Sequence, residues 1–148
     1  MARAALSLGA NLEDPARQID LAIATLADHP HITLVARSTM LITPPWGKTD
    51  QPDFHNAAIL IETDLSPLDL LDLCLATEAQ IGRVRRERWG PRIIDIDVIA
   101  YDRLVLDSNR LTLPHPLAHE RAFVLDPLRE IAPDIADWLV NRKLNAPA

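Results

Sequence analysis

SPLDLLDLCLATEAQIGRVRRERWGPRIIDIDVIAYD, Ser66 to Asp102, runs through a helix, a loop and a strand, and its reading decides the fold. Ser66 suits an N-cap, Pro67 the first turn, and Gly82 is placed to end the helix. Arg83 to Arg92 then holds five of the chain's fifteen basic residues, all of them arginine. The apolar run that follows, IIDIDVIAY, reads as a strand interrupted only by Asp95 and Asp97. Residues i and i+2 of a strand share a face. The two aspartates therefore project together, while Ile94, Ile96 and Val98 point the other way into a core.

Upstream, ARAALSL reads as a first strand ending at Gly9. In EDPARQIDLAIATLADHP, Asp14 is placed as N-cap and Pro15 as the first helical residue. Ile19, Ala22, Ile23 and Leu26 recur at helical spacing, which predicts an amphipathic helix. HITLVARSTM and AAILIET have strand character. Between them LITPPWGKTDQPDFHN, Leu41 to Asn56, is a long loop of the kind that is usually functional or mobile. The remainder, including NRLTLPHPLAHERAFVLDPLREIAPDIADWL, mixes a short extended piece with one or two short helices. His29, His31 and His55 are assigned to polar turns. The order β-α-β-β-α-β predicts an α+β, ferredoxin-like βαββαβ sandwich, an antiparallel sheet with helices on one face and long active-site loops.

At 148 residues, 48% of them apolar and 24% charged, the chain is expected to form a single soluble domain over 1–148. No apolar run approaches a membrane span, and no signal segment opens the chain. The one cysteine, Cys74, excludes an internal disulfide and reads as a small core residue, which suits a reducing, cytoplasmic compartment. A net charge of −6 argues against a general nucleic-acid binder. The arginine cluster is therefore a local device. No extended apolar helix face calls for a partner, and a monomer is expected.

Two carboxylates roughly 6–7 Å apart on a strand repel by about 2–3 kcal/mol at an effective dielectric near 20. A divalent cation reverses that sign. Carboxylates without His or Cys at ligand spacing suit a hard ion, and Mg²⁺ is the usual choice where phosphates complete its shell. Arginine matches phosphate oxygens through paired hydrogen bonds. Together these residues suit a nucleoside triphosphate with its magnesium, because such transfers are catalysed mainly by positioning and charge neutralisation. The bland alternatives are a solvated strand face and a solvated loop.

RWGPRIIDIDVI, Arg88 to Ile99, closely resembles the hallmark of the 6-hydroxymethyl-7,8-dihydropterin pyrophosphokinase family of folate biosynthesis. The resemblance runs from about Leu6 to Pro133 and includes LGANL, TPPWG, DQPDFHNAA, GRVR, and LTLPHP followed by HERAFVLDPLREIAP. It implies transfer of the pyrophosphoryl unit of ATP to a pterin hydroxymethyl group, with release of AMP and a requirement for two magnesium ions. It makes Asp95 and Asp97 the metal ligands, and Arg83 and Arg92 the phosphate-holding catalytic pair. Glu78, Arg85, Arg110, Thr112, His115 and Arg121 match ATP-site positions, and Arg88 matches a further loop arginine. Phe54 and Phe123 match a pair that stacks on the pterin, and Asn11 and Asn56 its asparagines. Thr43, Pro44 and Trp46 complete that pocket, and Trp89 covers it. Phe54 stands where tyrosine is common, Ala10 where serine is frequent, and Pro116 where some members carry tyrosine.

Two other functions compete. A nucleotidyltransferase of palm-like topology also pairs carboxylates, but releases pyrophosphate rather than AMP. A non-catalytic pterin- or nucleotide-binding module would use the same loops for recognition alone. His115 and His119 have zinc-ligand spacing if helical, but Pro116 interrupts a helix there.

Overall fold

The computed structural model describes residues 1–12, 14–44, 53–85 and 94–144, with the side chains of 83–85 and 143–144 outside the description. β1 (Ala2–Ala10) leads through α1 (Pro15–Ala27) to β2 (Ile32–Arg37), β3 (Leu41–Thr43) and β4 (Phe54–Thr63). Next come α2 (Pro67–Arg85), β5 (Asp95–Tyr101), the small ribbon β6 (Leu106–Asp107) with β7 (Thr112–Leu113), a 3-10 turn (Ala118–Glu120), α3 (Ala122–Ile131) and α4 (Pro133–Leu144). The main sheet has the order β2-β4-β1-β5, with β3 paired to β4 beyond the end of β2. Every pairing in it is antiparallel. The expected βαββαβ sandwich is present.

Ile19, Ala22, Ile23 and Leu26 of α1 are buried against Leu6, Leu8, Ile59 and Ile61, with Leu70, Cys74 and Ile81 of α2 and with Ile94, Ile96 and Val98. Cys74 is thus a core residue, and burial pushes its thiol up to about 12, with smaller contributions from Glu78 and Asp97.

Helices lie on both faces of the sheet, not one. Val124 and Leu128 of α3 and Ile135, Ala136 and Leu139 of α4 cover Ala5, Ala58, Leu60, Ile99 and Ala100. The cause lies in the strands: β4 is buried without a break from Asn56 to Ile61, so each face needs a cover.

Four local expectations change. The stretch Leu41 to Asn56, expected as one long loop, contains β3 and the first residues of β4. α2 continues past Gly82 to Arg85; a glycine inside a helix costs only about 1 kcal/mol, and Ile81 anchors that turn in the core. Asp14 does occupy the N-cap position, but its backbone is left-handed (φ 61°) and its side chain makes no capping bond. His55 lies in β4, not a turn, and its Nδ1 is buried with no partner among the described residues. Ser66 does cap α2, accepting the Asp69 N–H at 3.2 Å.

Candidate active site

The register of three strands assembles the floor of a cleft. Gly9 of β1 is flanked by Asn56 of β4 and Asp95 of β5, and Ser7 is flanked by Ala58 and Asp97. Because paired residues share a face, Ser7, Gly9, Asn56, Asp95 and Asp97 all point to the side covered further along by α3. Thr43 pairs with Phe54, which adds both to that side. Where α3 begins, the cover stops. A cavity of about 1020 Å³ opens there, lined by Ser7, Gly9, Thr43, Pro44, Phe54, Asn56, Asp95 and Asp97 from the sheet side, and by Leu117, Glu120, Arg121, Ala122 and Phe123 opposite.

Eight of the residues singled out in the sequence meet in this cleft: Thr43, Pro44, Phe54, Asn56, Asp95, Asp97, Arg121 and Phe123. Asp95 is exposed and Asp97 half-buried, while Ile94, Ile96 and Val98 are buried behind them, as the alternation predicts. Arg121, at the N-cap of α3, holds its guanidinium 5.6 Å from the Phe123 ring centroid. That is cation–π range.

His115, Thr112, Arg110, Glu78 and Asn11 do not line the cavity. His115 is half-buried beside it. Its pKa lies below 6.5, chiefly because of burial, with the Asp97 carboxylate opposing and the Arg121 charge adding to the depression. Its Nδ1 accepts the Leu117 N–H at 3.1 Å. Thr112 lies on the β6–β7 ribbon next to β5. Arg110 is exposed and paired with Asp72 of α2. Glu78 reaches from α2 to the backbone between the two aspartates, where its Oε2 accepts the Ile96 N–H at 2.7 Å. His119 sits in the 3-10 turn with its Nε2 3.5 Å from Glu120. The side chains of Arg83 and Arg85, and all of Trp46, Arg88, Trp89 and Arg92, lie outside the described residues.

Ser7, Gly9, Leu117, Glu120 and Ala122 were not singled out. Ser7 and Gly9 follow from strand parity once the register with Asp97 and Asp95 is known, and a sequence alone does not carry that register. A Cβ on Gly9 would lie 3.3 Å from Asn56 Oδ1, closer than the floor accommodates freely.

The donor set at the aspartate pair is oxygen-only. Among the described residues no group of three or more His, Cys, Asp or Glu side chains gathers to hold a metal. Two carboxylates with room left for phosphate and water suit a hard divalent ion shared with a ligand. The fold and cleft define a class: an α+β domain whose cleft sets two phenylalanines and an asparagine beside a pair of carboxylates.

A family model for 7,8-dihydro-6-hydroxymethylpterin-pyrophosphokinase (HPPK) matches residues 5–133. The chain is 55% identical over 135 residues to the 2-amino-4-hydroxy-6-hydroxymethyldihydropteridine pyrophosphokinase of Methylorubrum extorquens, covering 91% of this chain and 85% of the relative. It is 44% identical over 133 residues to the enzyme of the same name from Pseudomonas aeruginosa, covering 90% and 82%. Among solved structures, Plasmodium falciparum HPPK-DHPS with pteroate superposes with a TM-score of 0.69 at 15% identity, over 95% of this chain and 43% of that longer one. At that identity the likeness speaks for the fold alone. This chain belongs to the 7,8-dihydro-6-hydroxymethylpterin-pyrophosphokinase family.

Proposed function

We propose that this chain transfers the pyrophosphoryl group of ATP to the hydroxymethyl group of 6-hydroxymethyl-7,8-dihydropterin in folate biosynthesis, giving AMP and the pterin diphosphate. The observation that carries the residue assignment is the single cleft that joins Asp95 and Asp97 to Phe54, Phe123 and Asn56. A flat heterocycle fits between aromatic rings with amide groups at its edge, and its hydroxymethyl arm then reaches the aspartate pair.

In the reaction the pterin hydroxyl oxygen attacks the β-phosphorus of ATP. The bond from that phosphorus to the oxygen bridging to the α-phosphate breaks, AMP leaves, and the hydroxyl proton passes to solvent. Asp95 and Asp97 would hold Mg²⁺, two ions in this assignment, which when bound would neutralise the polyphosphate and make the acceptor hydroxyl more acidic. Arg121 carries a positive charge at the cleft wall and stabilises the transferred phosphates. With Nδ1 accepting from Leu117, the neutral His115 ring carries its proton on Nε2, whose N–H is assigned as a hydrogen-bond donor to the nucleotide. Arg83, Arg92 and Arg85 are assigned to the phosphates, and Arg110, Thr112 and Glu78 to the nucleotide. Asn11, Trp46 and Trp89 are assigned to the pterin.

Incubation with Mg·ATP and the pterin tests this assignment. AMP forming in step with a pyrophosphorylated pterin, and only when pterin is present, is the expected result. Pyrophosphate release with nucleotide transfer would replace the assignment by a nucleotidyltransferase; tight pterin binding without ATP turnover would leave a binding module. Asp97→Ala is expected to lower kcat by about 10²–10³-fold, the scale of losing a principal electrostatic group. Near-normal turnover would remove Asp97 from the catalytic set.

No helix among the described residues is long and apolar enough to cross a membrane. The assignment includes a single domain over 1–148 acting as a cytoplasmic monomer; a dimeric mass by light scattering of the active protein would overturn the monomer.

A further inference from the structure

Asn56 is 4% exposed on the cleft floor, and its Nδ2 faces two acceptors. Nδ2 donates to Thr43 Oγ1 at 3.1 Å and to the Leu41 carbonyl at 3.4 Å. A carbonyl oxygen only accepts, so the amide atom facing Leu41 is the NH₂ group. The opposite orientation would set Oδ1 against that carbonyl. The Leu41 bond is long, and the Thr43 hydroxyl makes the shorter of the two. Oδ1 is thereby directed toward Gly9, where the missing Cβ leaves it room. Thr43, Asn56 and Gly9 all line the cavity.

We propose that the Thr43 hydroxyl is a positioning residue: with the Leu41 carbonyl it fixes the Asn56 amide so that the cleft floor presents an acceptor, Oδ1, to an N–H edge of the bound heterocycle. Thr43 acts through Asn56 and its side chain needs no contact of its own with the ligand. The inference rests on the pterin assignment above for the identity of the ligand, but the orientation of the amide does not depend on it.

Three proteins test it: wild type, Thr43→Val, which keeps the shape and removes the hydroxyl, and Thr43→Ser, which keeps the hydroxyl. The Kd for 6-hydroxymethyl-7,8-dihydropterin is expected to rise about 5–10-fold in Thr43→Val, the size of one lost hydrogen bond, and Thr43→Ser regains most of it. KM for ATP changes less than about twofold in both, since a local amide rotation leaves the phosphate side alone. Independently of ligand, NMR is expected to show the Asn56 side-chain NH₂ protons protected from solvent exchange in wild type and Thr43→Ser, and losing that protection in Thr43→Val. Pterin affinity at the wild-type level in Thr43→Val, with the amide protons still protected, overturns the proposal. If Thr43→Val does not fold, fast exchange of these protons in wild type overturns it alone. If wild type shows Thr43-dependent protection but does not bind pterin, the pterin assignment fails and the positioning role stands.

Discussion

His115 shows how one residue's environment selects its protonation state. Burial disfavours the imidazolium and Arg121 adds repulsion, while Asp97 pulls the other way. The net direction is down, so the unfolded chain binds a proton more readily than the folded one in the window just below 6.5. Stability is therefore complete above that window and falls as pH drops through it. An NMR titration of the His115 ring is expected to place its midpoint below 6.5; a midpoint above it would mean that Asp97 outweighs burial. At neutral pH the ring is then an uncharged donor, which suits a contact that orients a phosphate. The motif made His115 visible in the sequence. Its depressed pKa depends on Asp97 and Arg121, both distant in the chain, and no local pattern reports that.

Among the elements, β3 was the least legible. Leu41–Thr43 is three residues long and leads into Pro44, and a strand that short has no periodicity to detect. It exists because tertiary contacts hold it: Leu41 pairs with Asn56 and Thr43 with Phe54. The link before it is fixed from the opposite layer. Glu130 of α3 accepts the Thr39 N–H and its Oγ1–H, each at 2.9 Å, and the Ser38 N–H donates to the Ala58 carbonyl. By contrast the alternation of β5 and the apolar spacing of α1 were fully legible, since each follows from one face meeting a core. Glu130→Ala removes both bonds to Thr39. At an exposed site this is expected to cost about 1 kcal/mol, a fall in Tm of about 2–4 °C. An unchanged Tm in a calorimetric scan would mean that water replaces the carboxylate without penalty and that the link is held by Ser38.

At the scale of the whole molecule the sheet separates two cores, and the cleft belongs to one of them. Ala57 to Ile61 is five apolar residues in succession, a signal that both faces of β4 are buried. Which helices cover the second face is decided by the path of the chain after β5, and the C-terminal segment's composition does not encode that. Leu70 of α2 lies fully buried in the first core and Leu128 of α3 at 1% exposure in the second. Replacing either with alanine is expected to cost about 2–5 kcal/mol. Because β1, β4 and β5 contribute to both cores, each variant should still unfold in one cooperative transition. Their effects on the cleft should differ. α3 begins with the Arg121–Phe123 wall, and Leu128 on the same helix helps seat it on the sheet, whereas α2 lies behind the floor. Leu128→Ala should therefore weaken pterin binding several-fold at a temperature where both variants are folded, and Leu70→Ala should change it little. Equal losses in the two variants, measured by titration against the same ligand, would mean that the wall is held by the 3-10 turn and not by the packing of α3.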